Sequence, residues 1–148
     1  MRLLKVSSSA FKNEGEIPSE FTCDGLDLSP PLGITDVPKE TTTLSIIMDD
    51  PDAPMGTFTH WLVWNISPNK TQFTKGEEFE SAQGRTSFGV VGYGGPCPPS
   101  GTHRYFFRIY ALDIKLDLKQ GSNVKNLRSA ISGHVLAEAT IMGRYSRR

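Results

Sequence analysis

Clusters of proline and glycine divide this chain into short segments, and they constrain its fold more than any other sequence feature. The 148 residues include 14 Gly and 10 Pro, together more than the roughly 12% of an average protein. They concentrate at residues 30–31 (PP), 50–54 (DPDAP) and 92–101 (GYGGPCPPSG). Because proline interrupts helices and glycine favours tight turns, this pattern predicts short strands joined by ordered loops, not a helical bundle.

Four segments between these loops have the composition or alternation of β-strands. Residues 41–48 (TTTLSIIM) are rich in β-branched side chains, and residues 105–112 (YFFRIYAL) are apolar on both sides, as in a strand covered on both faces. Residues 59–66 and 134–145 alternate. Within 59–66, alternation predicts one face that carries His60, Leu62, Trp64 and Ile66, and an opposite face that carries Trp61 and Val63.

One helix is predicted near the C-terminus. The apolar and basic residues Val124, Leu127, Arg128 and Ile131 follow helical spacing. Ser122 or Asn123 can cap the start of this helix, and Gly133 can end it. A further turn of helix is expected within residues 77–83.

The overall composition indicates one globular domain, 1–148. Eight Phe, four Tyr and two Trp provide a core, and no repeat or linker interrupts the chain. Sixteen basic side chains balance sixteen acidic ones, which argues against nucleic acid or an anionic membrane surface as a partner. No apolar run approaches the roughly 20 residues of a membrane helix. The opening MRLLKVSSSA is too short and polar for a secretory signal, so we expect a cytoplasmic protein without integral membrane association.

The two cysteines, Cys23 and Cys97, are too few for a disulfide framework or a zinc site. In a reducing cytoplasm the expected state is two free thiols. The alternative is a single bridge that ties two loops together.

Three carboxylates, Asp49, Asp50 and Asp52, follow the predicted strand 41–48. Two prolines stiffen this loop and hold the preceding residues in extended conformations. A solvated surface turn is the alternative interpretation. Such rigidity is better suited to carboxylates that must be held in one direction.

Two histidines accompany this loop. His60 begins an otherwise apolar strand, where a hydrogen-bonded core histidine is the alternative to a binding role. His103 lies two residues before Tyr105, so their side chains share a face. A carboxylate such as Asp50 can orient and charge an imidazole, which then faces an anion.

The glycine- and proline-rich loop completes this group. Gly94 and Gly95 allow a ligand to approach the backbone closely, and consecutive glycine amides can form an anion-binding concavity. The residues together therefore predict an anion pocket lined by Asp, two His and Tyr.

The ordered set of these motifs resembles the phosphatidylethanolamine-binding protein family, also called Raf kinase inhibitor-like proteins, and in particular its shorter bacterial and archaeal branch. The motifs are DPDAP (50–54), HW (60–61) and GYGGPCPPSGTHRY (92–105). Further matches occur at IPSEFTCDG (17–25), SPPL (29–32) and HVLAEA (134–139). The resemblance covers nearly the whole chain.

The resemblance implies a mainly β fold, with two antiparallel sheets in a Greek-key β-sandwich and one or two short peripheral helices. It implies a ligand pocket formed by Asp50, His60, Gly94, Gly95, Pro99, His103 and Tyr105. Asp52 would support the loop, and Arg104 would lie at the rim or in a structural ion pair. No catalytic residue, metal or cofactor is implied.

Three functional classes follow from this pattern. The leading hypothesis is a non-enzymatic protein that binds a small anionic or phosphorylated ligand and regulates a kinase or protease. The alternative is a metal-assisted hydrolase built on Asp50, His60 and His103, because two imidazoles and a carboxylate can bind a metal. A G-x-S-x-G nucleophile motif is missing from the sequence. The third is an assembly role through a homodimer.

Overall fold

The computed structural model describes residues 4–147, so residues 1–3 and residue 148 of the predicted domain lie outside the described part. Within this part the chain forms nine strands, one short 3₁₀ helix and one α-helix. The strands are β1 (Lys5–Ser7), β2 (Gly15–Glu16), β3 (Leu32–Thr35), β4 (Thr43–Asp50), β5 (Phe58–Ile66), β6 (Gln72–Phe73), β7 (Ala82–Gln83), β8 (Thr102–Leu112) and β9 (Val135–Ser146). The 3₁₀ helix is Ser19–Phe21, and the α-helix α1 is Val124–Ile131.

The strands form two sheets, and the predicted mainly β architecture is confirmed. The smaller sheet has the order β1-β3-β6, and the larger has the order β2-β9-β8-β4-β5-β7. All pairs are antiparallel except β2 with β9 at the edge of the larger sheet. The four predicted strands correspond to β4, β5, β8 and β9, with ends shifted by up to three residues.

The larger sheet is buried on both faces at its centre. Between the two sheets lies the main core, to which both contribute large apolar side chains such as Ile34, Met48 and Phe107. On the opposite face, Leu127 and Ile131 of α1 pack on a second cluster around Trp64. All eight residues of β4 are consequently buried, which explains a strand without simple apolar-polar alternation.

The helix begins and ends as predicted. Asn123 is the N-cap, and its side-chain oxygen accepts a hydrogen bond from the Asn126 amide at 2.9 Å. Gly133 follows the helix with a positive φ of 83°, as a glycine after a helix commonly does. The helical turn expected within 77–83 is wrong: Ala82–Gln83 is an edge strand paired with β5, and the preceding residues are irregular. No helix in residues 4–147 is long and apolar enough to cross a membrane.

A β-bulge near the end of β5 overturns the predicted position of Ile66. Between its pairs at Val63 and Ile66, β5 contains one residue more than β4. Asn65 in this bulge has φ 58°. Ile66 therefore packs with Val63 in the main core, whereas Leu62 and Trp64 pack under α1. An extra residue in one strand shifts every later side chain to the other face.

Candidate functional site

A pocket of about 450 Å³ opens where β4 ends and where β5 and β8 begin. The loop after β4 forms one wall, and the proline-rich segment before β8 forms another. The lining consists of Asp50, Ala53, Pro54, Met55, Gly56, Thr57, Phe58, His60, Ser87, Phe88, Cys97, Pro98, Pro99, His103 and Tyr105. The structure thus brings five predicted site residues together in one cavity: Asp50, His60, Pro99, His103 and Tyr105.

A buried carboxylate–imidazole pair forms part of this pocket. The Nδ1–H of His103 donates to Oδ2 of Asp50 at 2.6 Å, and the two side chains are only 9% and 4% exposed. The Asp52 amide donates to the other Asp50 oxygen at 2.8 Å. These contacts fix the ring of His103 and leave its Nε2 for a pocket ligand.

Outside the pocket, Asp52 and Arg104 hold the loop in place. The Arg104 guanidinium donates to both Asp52 oxygens, at 2.9 and 2.8 Å, and the Arg104 amide donates at 2.9 Å. These hydrogen bonds lower the pKa of Asp52 to about 2. Arg104 therefore forms an ion pair on the loop and does not line the pocket.

A second bulge brings His60 to the pocket. Where β4 advances by one residue, from Met48 to Asp49, β5 advances by two, from Trp61 to Thr59. His60 is the extra residue, and its ring lies 5.3 Å from the Tyr105 ring, centroid to centroid. The predicted placement of His60 on the face of Leu62 and Trp64 is therefore wrong, because the bulge turns its side chain toward the pocket.

The imidazole of His60 has a defined hydrogen-bond partner. Its Nδ1–H donates to the Gly94 carbonyl oxygen at 2.7 Å, so Nε2 is the nitrogen left for the pocket. Burial lowers the pKa of His60, although the Gly94 carbonyl and the charges of Asp50 and Asp27 act in the opposite direction. His60 therefore favours the neutral form.

Tyr105 neighbours both histidines. Its ring is 5.3 Å from that of His60 and 6.4 Å from that of His103, so the separation of the imidazoles cannot exceed the sum of these distances. Tyr105 is fully buried. Within residues 4–147, its hydroxyl and that of Thr41 are the buried side-chain polar atoms without a hydrogen-bond partner. Burial raises the pKa of Tyr105 above its usual value, although the Cys97 backbone amide beside the hydroxyl oxygen acts in the opposite direction. That amide can only donate, so the phenolic O–H itself is left without an acceptor.

Gly94 and Gly95 do not have the role in the site that the sequence predicted for them. The Gly94 amide donates to the His60 carbonyl at 3.0 Å, and the Gly95 amide donates to Asp27 Oδ1 at 2.8 Å. Because both amides are already bonded, the predicted anion-binding concavity of glycine amides is wrong. Glycine is needed here for space: a Cβ on Gly94 would lie 2.5 Å from the Phe88 ring.

The cysteines are bonded, so the expectation of two free thiols is wrong. Cys23 and Cys97 form a disulfide with their Cα atoms 5.4 Å apart. Cys97 lines the pocket, and the Cys23 amide also donates to the Pro96 carbonyl at 3.1 Å. The bridge thus attaches the proline-rich wall to the segment after the 3₁₀ helix. The prediction of two free thiols assumed a reducing cytoplasm, and the presence of the bridge removes that argument.

Aromatic side chains complete the pocket, and the sequence did not identify them. Phe58 and Phe88 lie 4.7 Å apart, and each is close to the His60 ring, at 4.9 and 5.3 Å. Phe58 lies two residues before His60 on the same strand, so that spacing was a usable signal. Phe88 comes from the turn after β7, for which the sequence offered no signal.

Comparison with known proteins gives the family. The family model for phosphatidylethanolamine-binding protein matches residues 7–146. This chain belongs to the phosphatidylethanolamine-binding protein family. The match includes every residue of the pocket, so the resemblance inferred from the motifs is confirmed at the level of the family.

Proteins of other organisms are similar over most of the chain. A UPF0098 protein of Archaeoglobus fulgidus is 51% identical over 94% of this chain, and the chain spans 50% of that protein's length. A UPF0098 protein of Methanothermobacter thermautotrophicus is 46% identical, with 97% and 99% of the two chains covered. The crystal structure of CT736, a phosphatidylethanolamine-binding protein homologue from Chlamydia trachomatis, has 37% identity, a TM-score of 0.96 and full coverage of both chains.

The pocket of this phosphatidylethanolamine-binding protein family member does not support the metal-hydrolase alternative. Within residues 4–147, no three His, Cys, Asp or Glu side chains converge as metal ligands. Asp50 and the Nδ1 atoms of His60 and His103 are engaged by protein partners. Both oxygens of Asp50 accept hydrogen bonds within the protein, so the carboxylate that this alternative needs as a metal ligand is already engaged.

Proposed function

We propose that this chain binds a small anionic group, such as a phosphoryl group, in the pocket and does so without catalysing a reaction. The observation that carries the proposal is the buried Tyr105 O–H, for which no acceptor lies at hydrogen-bond distance, on a ring that neighbours both imidazoles. A buried donor without a partner destabilises the folded protein by about 1–3 kcal/mol. An oxygen of a bound ligand would satisfy it.

The other pocket residues suit the same ligand. Asp50 holds His103 so that its Nε2 remains available, and the imidazolium form would donate a charge-assisted hydrogen bond. Phe58, Phe88 and Pro99 surround these polar groups with apolar walls. Such walls exclude water and strengthen each polar contact.

A thermal-shift titration with inorganic phosphate tests the proposal. We expect phosphate to raise the melting temperature of the unmodified protein, and to raise that of His60→Ala by less. His134→Ala is the matched control, because His134 lies outside the pocket and pairs with Asp113 at 2.8 Å. The proposal fails if phosphate does not stabilise the unmodified protein, or if His60→Ala responds as strongly as His134→Ala.

The regulatory role implied by the family name is a second step of this proposal. A kinase or protease inhibitor of this kind would use the pocket to recognise an anionic group on its partner, so phosphate should compete with inhibition. A homodimer stays a prediction, which sedimentation equilibrium of the full chain would test.

A further inference from the structure

The polar groups of the pocket include no permanent positive charge. Of the described residues that line it, Asp50, His60, His103 and Tyr105 can ionise, and none is Lys or Arg. Arg104 follows His103 in sequence, but its guanidinium is bound to Asp52. A fully ionised phosphate monoester or a sulfate carries two negative charges, and two charges in this pocket would be poorly compensated.

The two histidines differ in the groups that face their Nδ1 atoms. His103 Nδ1 is bonded to the Asp50 carboxylate at 2.6 Å, so its Nε2 donates when the ring carries both protons and accepts when it carries one. His60 faces the Gly94 carbonyl, which is neutral. Because His60 is also buried among aromatic rings, the neutral ring presents Nε2 as an acceptor, which can receive a donor from the ligand.

The charged and titratable groups around His60 are consistent with this assignment. They are Asp50 at the end of β4, His103 and Tyr105 on β8, and Asp27 behind the Gly95 amide. The two carboxylates raise the pKa of His60, but its burial lowers that pKa more strongly. Tyr105 supplies a donor and no positive charge.

The polar groups of the pocket are therefore complementary to a ligand that has acceptor oxygens and also one hydroxyl. We propose, resting on the anion-binding function above, that the pocket selects a phosphoryl group in its monoanionic form. The remaining P–OH donates to His60 Nε2, and the unprotonated oxygens accept from the Tyr105 hydroxyl and from His103 Nε2–H. Sites built around such hydrogen bonds reject an analogue that leaves a buried group without its partner.

Isothermal titration calorimetry with three probes at constant ionic strength tests this selection. Methyl phosphate loses its P–OH proton in its second ionisation, near pH 6 for a phosphate monoester. Dimethyl phosphate is a monoanion without a P–OH, and sulfate is a dianion without one. At pH 6 we expect methyl phosphate to bind at least about tenfold more tightly than either analogue.

The pH dependence separates ligand protonation from protein protonation. Between pH 6 and 8 the affinities for dimethyl phosphate and sulfate change only with the protonation of the protein. The affinity for methyl phosphate should show an additional fall of up to about tenfold per pH unit, because only its monoanion binds. The slopes for the two analogues report the titration of the protein alone. If sulfate binds as tightly as methyl phosphate, or if all slopes are equal, the inference is wrong.

Two variants assign the effect to His60. His60→Ala should remove the preference for methyl phosphate over dimethyl phosphate, whereas Tyr105→Phe should weaken all three probes and keep their order. If folded His60→Ala still prefers methyl phosphate over dimethyl phosphate, the assignment of the P–OH contact to His60 is wrong. If that variant does not fold, the pH slopes of the three affinities in the unmodified protein decide whether the monoanion is selected. Failure of every probe to bind contradicts the proposed function itself, whereas equal binding of all three contradicts only this inference.

Discussion

Removal of the Cys23–Cys97 disulfide should lower the free energy of unfolding by about 4.5 kcal/mol. The bond joins residues that are 74 positions apart, and closing a loop of that length lowers the entropy of the unfolded chain by about 15 cal/mol/K. At 25 °C this corresponds to about 4.5 kcal/mol. For a domain of this size the melting temperature should fall by roughly 9–18 °C.

The folded pocket should change little, because other contacts hold the same segments. The Tyr93 hydroxyl donates to the Phe21 carbonyl at 2.7 Å, and the Cys23 amide donates to the Pro96 carbonyl at 3.1 Å. The stability effect should therefore arise mainly in the unfolded chain.

Urea unfolding of the double variant Cys23→Ala/Cys97→Ala provides the measurement. The unmodified protein in excess reductant is the matched control, and its unfolding free energy should agree with that of the variant within about 1 kcal/mol. If the double variant and the reduced protein differ by more than this, packing of the sulfur atoms contributes to the change in unfolding free energy. The reasoning is refuted if the double variant is within about 1 kcal/mol of the oxidised protein.

Three further predictions concern acid stability, the pocket tyrosine and the helix cap. Arg104 lowers the pKa of Asp52 from 3.8 to about 2, so the stabilisation from this pair is complete above pH 3.8 and is lost as the pH falls toward 2. Melting temperatures measured over this interval should fall less steeply for Asp52→Asn, and an unchanged slope would contradict the assignment. Tyr105→Phe should leave the ligand-free protein equally stable or up to about 3 kcal/mol more stable in urea unfolding. A loss above about 1 kcal/mol would mean that the hydroxyl is bonded. Asn123→Ala removes the bond to the Asn126 amide and should cost about 1 kcal/mol by the same measurement, which unchanged stability would contradict.

The sequence was sufficient for features that depend on near neighbours along the chain. The Pro and Gly clusters separate the strands, and Asn123 and Gly133 bound α1 as expected. His103 and Tyr105 share a face because β8 is regular between them. Local patterns therefore identified the class of fold, and the loop motifs with their family resemblance identified several residues of the pocket.

The orientation of His60 and the partners of the site residues were decided by tertiary structure. A bulge exists only relative to a partner strand, so alternation within β5 could not show that His60 turns toward the pocket. The bond from His103 to Asp50 and the bond from the Gly95 amide to Asp27 join residues 53 and 68 positions apart. Which donor meets which acceptor at such separations depends on how the sheets and loops pack, and a local pattern carries no information about that packing.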